Sequence, residues 1–115
     1  MIKEYLIEAV NLELNMSKLY LKFSNINNTD YIFWYSLSIE EGGHVAILKN
    51  ILSAIDMINY DFNITEIELD ELKQTNNKIN DMLSHTFNRV DAFDTAISLE
   101  NTAGEIHYQK LFYWY

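Results

Sequence analysis

The sequence predicts an all-α chain, and three observations predict it. The 115 residues contain no proline and only three glycines, too few turn-formers for a β-rich fold of this length. Three stretches carry apolar residues at alternating steps of three and four, the repeat of one helix face in a bundle. The length suffices for one domain, residues 1–115, around a single core.

Composition narrows the function classes. The formal net charge of −9 argues against nucleic acid and against an anionic membrane as partners, because both are polyanions. The absence of cysteine excludes disulfides, thiolate metal sites and cysteine nucleophiles, and makes a reducing cytoplasm the expected location. The segment MIKEYLIEAVNLEL carries acids inside its apolar stretch, so it reads as neither a signal peptide nor a membrane span.

A first helix is expected over about residues 3–23, with the stripe Leu6, Ala9/Val10, position 13, Met16, Tyr20 and Phe23. Residues 24–30, SNINNTD, read as a turn whose Asn, Thr and Asp side chains offer N-caps. A second helix is expected over about residues 30–58, with Leu37, positions 41 and 44, Leu48, Leu52 and Ile55 on its stripe. Gly42 and Gly43 interrupt it at a cost of roughly 1 kcal/mol each relative to alanine, which suggests close packing on a neighbour or a local deformation.

Residues 59–87 read as a long connection containing some helix, not as a further core helix. Within it, Thr65 and Glu68 have the spacing of a capping box, and a polar helix is expected to about residue 83. A third core helix is expected over about residues 88–112, its stripe being Phe93, Ala96/Ile97, position 100, Ala103/Gly104, position 107 and Leu111. The sequence then reads Phe112-Tyr113-Trp114-Tyr115, an aromatic run expected to pack on something or to begin a further element.

The positions left open in those stripes are Glu13, Glu41, His44, Glu100 and His107. Each helix thus carries a carboxylate in the middle of its apolar face, and Glu41 and His44, three apart, project together. A buried, unpaired carboxylate costs several kcal/mol, and three converging in one core repel each other. None of the eight Lys and Arg residues falls on these stripes. Carboxylate oxygen with imidazole nitrogen is a ligand set for iron, manganese or zinc, and a bound metal removes the electrostatic conflict. Taken singly, Glu13 and Glu100 also read as stripe-edge carboxylates reaching water; Glu40 reads as solvent-facing and His85 as a surface or capping residue.

The ordered set resembles the ferritin-like di-iron carboxylate superfamily, in which two helices each give a Glu and two others each give Glu-x-x-His. Glu41-Gly42-Gly43-His44 matches one Glu-x-x-His, and Glu13 with Tyr20 seven residues later is similar to the first helix of the rubrerythrin-type branch. Ala96-Ile97-Ser98-Leu99-Glu100 followed by Tyr108 resembles the third-helix segment, and residues 59–87 resemble the long crossover.

The resemblance implies a ferritin-like helical bundle of three core helices plus a partly helical crossover. Its implied metal ligands are Glu13, Glu41, His44 and Glu100, holding two iron ions per complete site, with Tyr20, His107 and Tyr108 in hydrogen-bonding support. Dioxygen or peroxide is the implied reactant, in iron oxidation, as a ferroxidase, or in peroxide or oxygen detoxification, as a peroxidase-type oxidoreductase. The fourth helix, with its second Glu-x-x-His, has no counterpart here: Glu105 and Tyr108 have the spacing but lack the histidine. Three arrangements account for this: a truncated chain, a homodimer or higher homo-oligomer completing the site across a two-fold axis, or a decayed site. The alternative function is a non-catalytic helical oligomerisation or interaction module.

Overall fold

The computed structural model describes residues 2–57 and 63–101. Among them every regular element is helical: α1 (Ile2–Ser24), a 3-10 turn (Asn28–Asp30), α2 (Tyr31–Ala54), α3 (Glu66–Met82) and α4 (Arg89–Leu99). Side-chain caps set several of the starts. Asn27 accepts from the Thr29 N–H, Thr65 from the Glu68 N–H, and Asn88 from the Asp91 N–H. The capping residue expected at Thr65 therefore starts α3. None of the described helices is long and apolar enough to cross a membrane.

Helix α1 is the spine. Its expected stripe is buried throughout, but Tyr5, Leu12 and Leu19 are buried as well. The burial is wide because α1 is flanked on two sides, by α2 along most of its length and by α3. α3 corrects the expectation for residues 59–87. It is a packed bundle helix, burying Leu69, Leu72 and Ile79 with Asn76 in the same stripe. Its acids and lysines sit on the opposite, solvated face, so overall polarity concealed a four-residue stripe at steps of three and four. Asn76 donates to the Glu8 carbonyl and to the Glu8 carboxylate, each at 2.8 Å, which pins α3 to one register on α1.

The stripe of α2 also needs correction. The buried residues are Trp34, Ser38, Glu41, Val45, Leu48 and Ile51, while Leu37, His44, Leu52 and Ile55 are only partly buried. Apolar residues continue onto the outer face (Ile32, Tyr35, Ile39), so the pattern sets the rotation of this helix weakly. On α4 the buried residues are Ala92, Ala96 and Leu99; Phe93 is half-buried, and Ile97, expected in the core, is 60% exposed. Beyond residue 101 the expected third helix, with Ala103, Gly104, His107, Tyr108, Leu111 and the aromatic run, lies outside the described residues, as do residues 58–62.

The two adjacent glycines of α2 have a different setting from the one expected. Both are exposed with ordinary helical φ, and a Cβ built on either meets no described atom within 4 Å. Close packing among the described residues therefore does not require them. Gly43→Ala is expected to stabilise the fold by ~0.5–1 kcal/mol, read as a higher urea midpoint at unchanged slope; a lower midpoint would mean that another chain approaches this face.

The backbone of α4 stands further from the other helices than α2 and α3 stand from α1, and large side chains span the gap. Phe93 lies 4.8 Å from the Trp34 ring centroid and 5.6 Å from that of Phe33. Arg89 grips the buried Asp30 through two hydrogen bonds, Nε to Oδ2 at 2.6 Å and Nη2 to Oδ1 at 2.9 Å. This fork ties the start of α4 to the start of α2.

Candidate metal centre

The gap between α4 and the α1–α2 pair encloses a cavity of about 430 Å³. Glu13 enters it from α1, Glu41 and His44 from α2, and Glu100 from the residue that follows α4. Glu13 is 3% exposed and Glu41 5%, values rare for carboxylates without a charged partner. No Lys or Arg lines the cavity among the described residues; its other polar lining groups are Tyr20, Glu40 and Asn101.

A pair of small residues brings Glu13 and Glu41 to the same level. Ser17, one turn after Glu13, and Ser38, three residues before Glu41, touch through their hydroxyls at 2.8 Å. Ser17 Oγ also donates to the Ser38 carbonyl and Ser38 Oγ to the Ser17 carbonyl, each at 3.1 Å. Such reciprocal bonds need the two backbones close together and fix the register of α1 on α2. The sequence carries no signature for this clamp beyond two small polar residues near the candidate ligands.

The three inner groups converge. His44 Nδ1 lies 3.2 Å from Glu41 Oε2 and 3.4 Å from Glu13 Oε2. One ligand atom from each of Glu13, Glu41 and His44 falls within 4.8 Å of the other two. The carboxylates accept only, so a proton on Nδ1 is shared between them. Burial works against a charged imidazole, but the hydrogen bond to Glu41 and the fields of Glu41, Glu40 and Glu100 outweigh it and hold the His44 pKa above its ordinary value. That direction favours the protonated imidazole between the two acids.

Glu100 lines the same cavity but is turned differently. Its Oε1 accepts the Tyr20 hydroxyl at 2.5 Å, and it is not among the three groups that converge. Burial first, and then that hydrogen bond to a carboxylate, push the Tyr20 pKa far up and keep the phenol protonated. Glu100 and Asn101 continue α4 in π-helical geometry, a widening of the turn found often at functional sites. His107 and Tyr108 lie outside the described residues. His85 lies away from the cavity, 3.4 Å from Asp81 on the surface.

Glu40 and the aromatic wall were the residues that sequence reasoning missed. Glu40 is exposed, as expected, yet it lines the cavity mouth. The signal was present: Phe33, Leu37, Glu40 and His44 recur at i, i+4, i+7 and i+11, one face of α2. Comparison with known proteins gives no further constraint: no family model, curated protein or solved structure matches the chain.

Proposed function

We propose that this chain binds a divalent transition metal through Glu13, Glu41 and His44. The observation that carries the reading is the convergence of two nearly inaccessible carboxylates and one imidazole in a cavity that no Lys or Arg lines among the described residues. The donor set fits the group: mixed oxygen and nitrogen ligands favour iron, manganese or zinc over the all-oxygen sites of calcium and magnesium. Glu100, one Tyr20 hydrogen bond away, is the further carboxylate for a second ion, which is the di-iron, ferritin-like form of the proposal.

When bound, iron would supply redox chemistry toward dioxygen or peroxide, and the chain would act in iron oxidation or oxidant removal. The protein's own residues do the rest. Glu13 and Glu41 bring negative charge, the Ser17–Ser38 clamp sets their spacing, and His44 gives up its Nδ1 proton to free a ligand nitrogen. Tyr20, protonated and donating, holds Glu100 at the cavity wall.

The test is selective retention. Metal-free protein incubated anaerobically with Fe(II), Mn(II) or Zn(II) and then desalted is expected to keep the transition metal at a fixed ratio per chain, and to keep neither Ca(II) nor Mg(II). Loss of all of them on desalting would contradict the reading.

The outer face of α2 favours a second reading, a helical association module, in which two copies meet. Ile32 is 77% exposed and Ile39 60%, with Tyr35 beside them. Mass in solution decides it: a monomer at micromolar concentration would leave this surface without a role in self-association.

A further inference from the structure

The cavity is larger than a metal centre requires, and it has two ends. Its 430 Å³ falls within the range of about 300–1,000 Å³ typical of small-molecule sites. Trp34 precedes Glu41 by seven residues on α2, and Tyr20 follows Glu13 by seven on α1, so the aromatic end lies ~10 Å along the helices from the acidic trio. The antiparallel pairing agrees, because Tyr20 stacks on Trp34 with centroids 5.8 Å apart. At that end Phe33, Trp34 and Phe93 form an aromatic wall with Leu37 and Ile97.

Glu40 stands between the two ends. It shares a face with Phe33 and Leu37 on one side and with His44 on the other, and its field reaches both His44 and Tyr20. A metal at the trio would offset the charges of Glu13 and Glu41; Glu40 and Glu100 would still make the rest of the cavity electronegative. Aromatic faces beside carboxylates recognise an ammonium carried on an apolar body, through ring quadrupole and charge together. The described lining, which holds carboxylates and no Lys or Arg, repels carboxylates and phosphates.

We propose that the aromatic end of the cavity binds a small primary amine, its ammonium directed to Glu40 and Glu100 and its hydrocarbon body lying on Phe33, Phe93 and Leu37, with the buried Trp34 ring behind them. The inference shares the cavity with the metal reading but does not require the metal. A bound amine would lie beside the metal centre, so the natural ligand is an amine-bearing small molecule rather than an anionic metabolite.

Trp34 reports on this end directly. The sequence holds two tryptophans, so Trp114→Phe leaves Trp34 as the lone indole. The full-length variant, freed of metal with EDTA, is titrated with phenethylamine, with the neutral 2-phenylethanol and with the anionic 3-phenylpropionate. A saturable change in Trp34 fluorescence is expected for the amine, with affinity at least about tenfold above the alcohol, a step near 1.4 kcal/mol, and no response to the acid. Glu40→Gln, at the exposed cavity mouth where folding is not at stake, should bring the amine close to the alcohol and leave the alcohol unchanged.

Repeating the titration with Zn(II) present separates the two readings. Amine binding that survives zinc supports two subsites. Amine displaced by zinc would overturn the proposal, because the ammonium would then occupy the metal position. Equal binding of amine and alcohol, or no saturable response, would also overturn it. None of these amine results bears on whether zinc itself is retained.

Discussion

Glu41→Gln is expected to lower affinity for the preferred transition metal by at least about 100-fold, near 2.8 kcal/mol, while the metal-free protein folds as before. Removing even an outer partner of a metal ligand costs ~10–100-fold, so removing a ligand charge sits at or above the top of that range. Glutamine keeps the shape and one acceptor oxygen for His44 Nδ1, now 3.2 Å from Glu41 Oε2. What it loses is the negative charge in a cavity already crowded with acids. A structural role for Glu41 predicts the reverse: unchanged metal retention and a lower melting temperature. His44→Ala should give the same loss of metal, and the two variants together should lose little more than either alone, because they serve one centre. Calorimetric titration with Mn(II) or Zn(II), beside thermal melts of the metal-free variants, separates these outcomes.

Trp34→Ala is expected to cost ~3–5 kcal/mol, the range for emptying a large buried aromatic site. Trp34 is 1% exposed and touches four other rings: Phe93, Phe23, Phe33 and Tyr20, with centroids 4.8, 5.0, 5.0 and 5.8 Å away. Phe23 carries the cluster on to Phe87 at 4.9 Å, ahead of α4. This cluster, with the Arg89–Asp30 fork, is what holds α4 across the cavity, since the α4 backbone makes few close approaches of its own. Domains are stable by only ~0.05–0.15 kcal/mol per residue, so the loss removes a large share of the total. A fall in melting temperature of at least about 12 °C is expected. Amide exchange should accelerate first in α4; uniform acceleration through α1 and α3 would mean that the cluster supports the whole bundle rather than the docking of α4.

The legibility of this sequence varied with the setting of each helix. α1 was readable because it is buried on a broad face, so a stripe drawn anywhere near its centre lies in the core. α2 was readable in extent but not in rotation: Ile32, Tyr35 and Ile39 point outward, and an all-round apolar helix has little phase to read. The polar composition of α3 masked Leu69, Leu72 and Ile79, which face α1 regardless of how many charges lie behind them. Among the candidate ligands, the Glu41/His44 spacing and the mid-stripe place of Glu13 were sufficient to bring those three together. Glu100 reached the same cavity, but its hydrogen bond to Tyr20, eighty positions away in sequence, is a tertiary fact with no local signature. The Ser17–Ser38 clamp was invisible for the same reason.

Anomalous diffraction from crystals grown with Mn(II) or Zn(II) tests whether Glu13, Glu41 and His44 hold a metal. An anomalous peak is expected inside the cavity, about 2.0–2.2 Å from a carboxylate oxygen of Glu13, a carboxylate oxygen of Glu41 and a ring nitrogen of His44. A cavity without a peak, with His44 Nδ1 still shared between the two carboxylates in crystals soaked to saturation, would contradict it.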